Sequence, residues 1–261
     1  MNRAFRWMLV GIGAFMLAEG AAFALTLGDN ITISDGVFTG TGWYSNREDQ
    51  EVEPNNVTGQ VWDLEGFFLD DEMLSVVGGF NFAAGQDGWD AGDVFLDITG
   101  DARYGTANTG TGGDQSYPAI INNTFGYDYV LDINWGAGTY DVYALDAGST
   151  VRVYYNQNDE SNPWRYNSGG ELLYDDVSFS YLTGLSNADV GGLLGGSHNV
   201  AAFDLSFLDP GEFTSHLTVE CGNDNLMGQG VIVPEPATAS LLVLGLAFMA
   251  GRNVPRKKSR I

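Results

Sequence analysis

Between Leu25 and Val233 this sequence contains no lysine and only four arginines: Arg47, Arg103, Arg152 and Arg165. The same span carries 32 acidic residues, which gives it a net charge of −28. A surface that acidic repels phosphate backbones and anionic bilayers, so nucleic-acid partners are excluded. Cysteine is as scarce: Cys221 stands alone. One thiol makes neither an intrachain disulfide nor a zinc site built from several thiolates. Histidine occurs twice, as His198 and His216, and the body has no Gly-x-Ser-x-Gly elbow. Little material is left for nucleophilic catalysis. The glycine run Gly191–Gly196 has no following lysine, so it is a flexible turn and not a phosphate loop.

What the middle lacks, the ends supply. Seven of the eleven basic residues lie outside it. At the N-terminus Arg3 and Arg6 precede an apolar stretch from Trp7 to Ala18, too short to cross a bilayer comfortably. Ala22-Phe23-Ala24 then offers small residues where a signal peptidase reads them. The expectation is a signal helix recognised at Ala22 and Ala24, entry through the Sec translocon, and Leu25 as the first mature residue.

At the other end comes Val233-Pro234-Glu235-Pro236, then an apolar run from Ala239 to Gly251, then Arg252, Arg256, Lys257, Lys258 and Arg260. Positive charge behind an apolar segment holds that end in the cytoplasm. This order of parts closely resembles the PEP-CTERM sorting signal of Gram-negative bacteria. The resemblance covers Val231 to Ile261. It implies a transmembrane helix, processing by an exosortase near Pro-Glu-Pro, and delivery to the cell surface or to an exopolysaccharide-rich biofilm matrix. The segment His216-Leu217-Thr218 leading to Cys221-Gly222-Asn223-Asp224 also resembles a pre-anchor element of some such proteins. The organisation expected is therefore a signal peptide (1–24), an acidic β-domain (25–221), a spacer (222–233) and the sorting signal (234–261).

Glycine fixes the class of the body. Thirty-one of the 36 glycines fall in it, about twice the ordinary usage of roughly 7%. They break the chain every eight to fifteen residues, and between the breaks apolar and polar residues alternate with period two. That pattern predicts an all-β antiparallel sandwich, jelly-roll-like, and no fixed period supports a solenoid. The predicted strands are Val61–Leu69, Leu74–Phe82, Val94–Ile98, Tyr127–Trp135, Thr139–Leu145, Val151–Tyr155, Val177–Leu182, Val200–Leu208 and His216–Cys221. Gly136-Ala137-Gly138 turns the clearest hairpin, and Val151–Tyr155 is expected to extend it as a meander. Asn187–Leu194 is the best candidate for a short helix.

The densest acidic constellation is Asp87, Asp90, Asp93 and Asp97, with Asp101 beyond. Closely spaced carboxylates on a glycine-rich loop supply the hard oxygens that Ca²⁺ takes. The spacing matches neither an EF-hand nor a nonapeptide calcium repeat, and solvated turns account for the same residues. Trp89, Trp135, Trp164 and Tyr166 offer rings for sugar stacking or for core packing. Glycoside hydrolysis needs two carboxylates about 5–9 Å apart, and no motif singles out a pair. The reading is a non-catalytic exported surface or matrix protein. A carbohydrate-binding module, calcium-dependent or not, is the alternative, and a hydrolase ranks third.

Overall fold

The computed structural model describes residues 25–34, 48–53, 56–103, 119–154 and 161–233. The signal helix and the C-terminal transmembrane helix expected from sequence fall outside them. Among the described residues no helix is long and apolar enough to cross a membrane.

The described residues form fifteen strands, in chain order β1 (Asp29–Asn30), β2 (Thr32–Ile33), β3 (Leu64–Asp70), β4 (Met73–Gly78), β5 (Val94–Asp97), β6 (Ala119–Asn122), β7 (Tyr129–Asn134), β8 (Thr139–Ala144), β9 (Thr150–Val153), β10 (Arg165–Ser168), β11 (Glu171–Ser178), β12 (Ser180–Leu185), β13 (His198–Asp204), β14 (Gly211–Thr218) and β15 (Asn225–Ile232). One 3-10 turn, Gln60–Trp62, precedes β3. Every strand pairing is antiparallel. A seven-stranded sheet runs β11-β8-β7-β5-β14-β15-β2, a five-stranded sheet β1-β3-β4-β13-β12, and a three-stranded sheet β10-β9-β6. The body is all-β, consistent with a sandwich.

Period-two alternation explains how three apolar clusters arise from these sheets. In β5, Val94 and Leu96 enter the main core while Phe95 points the other way. In β7, Leu131 and Ile133 share that main core and Val130 joins Phe95 on the reverse face. The five-stranded sheet meets them with Phe67, Leu74, Val76, Ala201 and Phe203. Phe95 and Val130 are covered by Val151, Val153 and Tyr166 of the three-stranded sheet. The outer face of the five-stranded sheet places Phe68, Val77 and Val200 against Leu27 and Val190. Each such side chain contributes about 1.5–3 kcal/mol when fully buried.

The predicted hairpin forms as β7 and β8, with Asn134 opposite Thr139. Ala137 and Gly138 donate their backbone N–H groups to the Asn134 carbonyl, and Gly138 takes φ +73. The meander does not follow. β9 pairs with β6 and β10, not with β8. Val151 and Val153 are drawn onto the reverse face of the large sheet, and β11 takes the place beside β8. Val177–Leu182 is not one strand but the end of β11 and the start of β12. Asn187–Leu194 is a run of turns rather than a helix, with Gly191 and Gly192 both at positive φ.

The expected spacer is a further correction. Asn225–Ile232 is β15, paired with β14 over eight positions and with β2 on its other side. Its glycines are packing residues. A Cβ at Gly228 would sit 2.8 Å from Ser215 Oγ and 3.0 Å from Phe67 Cβ, and one at Gly230 would sit 2.7 Å from the Phe213 ring. The β-domain therefore runs to Ile232.

Candidate functional site

The four aspartates proposed as calcium ligands do different work. Asp87 is an exposed turn residue at φ 53, where Gln86 and Trp89 bridge. Asp90 is exposed and exchanges backbone contacts with Glu220, whose Oε2 accepts its N–H at 3.3 Å. Asp93 is fully buried at the start of β5. Its Oδ1 accepts the Ile133 N–H at 3.0 Å and its Oδ2 the Tyr166 N–H at 2.8 Å. Arg165 Nε lies 3.9 Å from Oδ2. One carboxyl thereby ties β5, β7 and β10 together. Burial, then Asp132, pushes its pKa up to about 7 against the pull of Arg165. Asp97 organises the turn after β5: Oδ1 accepts from the Thr99 and Gly100 N–H groups and Oδ2 from Ala102. Those donors hold its pKa below the usual value, against the opposing push of burial.

Asp87, Asp90, Asp93 and Asp97 are thus not brought together. Among the described residues, the acids whose oxygens converge within 4.8 Å of one another are Asp49, Asp63 and Glu65. All three are buried.

The cluster is built from two directions. Asp63 and Glu65 flank Leu64 where the 3-10 turn enters β3. The segment 48–53 lies against them and buries Glu48, Asp49, Glu51 and Glu53. Gln50, at φ 65, donates its backbone N–H to Asp63 Oδ2 at 3.0 Å. The Leu194 N–H reaches Asp49 Oδ1 at 3.0 Å. Asp224 joins from the turn before β15, its Oδ2 accepting the Leu64 N–H at 2.5 Å. Glu53 is held at the same end, its Oε1 accepting from Asn225 Nδ2 and its N–H donating to the Asn223 carbonyl. Arg47 lies outside the described residues.

Crowding of carboxylates in a dry place shifts their protonation. Burial raises Asp63 well above the usual carboxylate value, and Glu65 and Asp49 add repulsion. Asp224 is raised by burial and then by Glu51 and Asp63. Glu65 is pushed up to about 8 by burial, against the hydrogen bond from Gln60. Among the described residues, nothing donates a hydrogen bond to the buried oxygens Asp63 Oδ1 and Asp224 Oδ1.

His198 completes the arrangement. It is fully buried, with Nδ1 2.9 and 2.7 Å from the two Glu65 oxygens. Its Nε2 lies 2.9 Å from Asn187 Oδ1, which also accepts the Gly196 N–H at 2.8 Å. That second donor fixes the amide atom as oxygen, so Nε2 carries a proton. One further proton then sits between Nδ1 and Glu65. Desolvation lowers the histidine and raises the glutamate, so it rests on Glu65 when nothing else charges the site. Gln60 Nε2 donates to Glu65 Oε1 at 2.5 Å, which leaves Oε2 to carry the proton. A cavity of about 360 Å³, lined by Asn30, Thr32, Ser34, Glu48, Asp49, Glu65 and Leu193, leads to the cluster.

The aromatic candidates are mostly core. Trp135 and Trp164 are buried, Trp135 stacking on Phe82 at 5.0 Å. Tyr166 stacks on Tyr143 at 4.6 Å. Trp89 packs edge-on against Tyr154. Cys221 is half-buried in the turn after β14, its thiol pKa raised by burial. His216 stacks on Tyr127 inside the body. Of the targeting residues, Val233 is described and exposed. Ala22, Ala24, Pro234, Glu235, Pro236, Arg252, Arg256, Lys257, Lys258 and Arg260 lie outside the described residues.

Sequence reasoning missed the buried cluster. Its one local signal was density: Glu48, Asp49, Glu51 and Glu53 fall within six residues, ten before Asp63. Comparison with protein-family models, curated proteins and solved structures finds no match to this chain.

Proposed function

We propose that this chain is an exported, exosortase-sorted protein of the cell surface or extracellular matrix, acting by display of a folded acidic domain and not by catalysis. The observation that carries the reading is the order Pro234-Glu235-Pro236, apolar run, basic terminus, paired with a signal-like N-terminus. In this reading the Sec translocon exports the chain, signal peptidase cuts after Ala24, and an exosortase acts near Pro234–Pro236. The body is a jelly-roll-like sandwich that stays soluble by its charge and meets exopolysaccharide in the matrix.

The fold supports the reading at one point. β15 remains paired with β14 as far as Ile232, opposite Gly211. Val233 is 68% exposed. A cut near Pro-Glu-Pro therefore falls just past β15 and leaves the described strands in place.

Replacing Pro234, Glu235 and Pro236 together by alanine, in an exosortase-bearing host, tests it. The wild-type chain is expected in the surface or medium fraction at reduced length, and the triple variant at full length in the membrane fraction. Identical processing of the two chains, or a full-length wild type in the cytosol, refutes the proposal.

A further inference from the structure

We propose that Asp49, Asp63 and Glu65 form a calcium site that fastens the 48–53 segment to the start of β3. Their oxygens lie within 4.8 Å of one another. Two ligands on opposite sides of one Ca²⁺ stand about 4.6–5.2 Å apart, from bond lengths of about 2.3–2.6 Å. The donor set is all carboxylate oxygen, the hard chemistry that calcium takes, whereas structural zinc sites are built mainly from cysteine and histidine. The Gln50 N–H donates to Asp63 Oδ2 and the Leu194 N–H to Asp49 Oδ1. A carboxylate offers about four acceptor sites, and among the described residues nothing donates to Asp63 Oδ1, whose lone pairs face the other acids.

Asp63 supplies the independent observation. It is wholly buried, and among the described residues its Oδ1 has no hydrogen-bond donor. A buried polar atom left bare costs about 1–3 kcal/mol, and a divalent cation among the three carboxylates removes that cost. Asp224 Oδ1, also buried and without a donor, faces the same group of acids from the far side. The cavity that reaches Asp49 and Glu65 gives the ion a way in and holds water for its remaining positions.

This site shares no residue with the Asp87–Asp97 segment, and the proposal stands apart from the sorting signal. The test is calcium titration of the full-length chain in mild detergent, read by calorimetry and by melting temperature. The wild type is expected to bind one Ca²⁺ in the micromolar to millimolar range, with a higher melting temperature in calcium than in EDTA. Mg²⁺ should bind at least tenfold more weakly. Asp63→Asn keeps the shape, removes a buried charge, and should weaken calcium at least tenfold, while Asp90→Asn should leave it unchanged. A wild type with neither heat nor melting shift overturns the proposal, whatever the variants do. So does a loss confined to Asp90→Asn, and equal Mg²⁺ affinity overturns the assignment to calcium.

Discussion

Replacing Asp93 by alanine should destabilise the domain most at low pH and progressively less as pH rises. The carboxyl accepts the Ile133 and Tyr166 N–H groups inside a fully buried site. Alanine leaves both donors bare, at about 1–3 kcal/mol each, so the expected loss is about 2–6 kcal/mol. Against this stands the price of burying the group. Its pKa rises from 3.8 unfolded to about 7 folded. A carboxyl with a raised folded value favours the native state below the unfolded value and loses that advantage as pH climbs through the folded one. At about 1.4 kcal/mol per pH unit, the interval is worth about 4 kcal/mol to the wild type and nothing to alanine. The gap between the two chains should therefore be full near pH 4 and about 4 kcal/mol narrower by pH 8. Urea unfolding at pH 4, 6 and 8, with and without calcium, measures it. A difference below about 1 kcal/mol at pH 4, or one that stays flat with pH, refutes the reasoning. Calcium should not alter the difference, since both Asp93 oxygens accept backbone N–H groups.

Other perturbations separate the roles of neighbouring residues. Asp97→Asn should cost about 1–3 kcal/mol at neutral pH in urea melts, because three backbone donors lose a charged acceptor. Its lowered pKa means that this advantage exists above the unfolded value and fades as pH falls through the folded one, so the two chains should converge in acid. Trp135→Ala should cost about 3–5 kcal/mol in the same assay, since it removes the ring stacked on Phe82 and the donor to the Gly92 carbonyl. In calcium-free buffer, stability should fall between pH 4.5 and 8, because Glu65 titrates at about 8 in the folded chain against 4.5 in the unfolded one. Thermal melts across that range check the slope, and Glu65→Gln should flatten it.

The strands were legible wherever one face was polar or the other aromatic. Tyr129–Asn134 and Thr139–Ala144 announced themselves by alternation and a glycine turn. Asn225–Ile232 did not, because Gly228 and Gly230 read as linker when they are the residues that let β15 approach Phe67 and Phe213. The assignment of β9 to a separate sheet was equally hidden. Period two says which side chains share a face, not which sheet that face will meet. The acidic cluster was invisible for a different reason. Glu48–Glu53 has the composition of a solvated loop, yet it is buried close to Asp224, 173 residues away from Glu51 in sequence. In the Asp87–Asp97 segment local density left an ion and solvated turns both open, and the structure turns Asp93 and Asp97 onto backbone N–H groups.

Two removable ends are proposed to surround the folded acidic body. The intact mass of the protein recovered from its source cells tests that proposal most directly. The account predicts a surface or medium form that begins at Leu25 and ends near Pro234–Pro236, with the terminal arginines and lysines gone. An unprocessed chain of 261 residues, recovered from the cytosol, would contradict it.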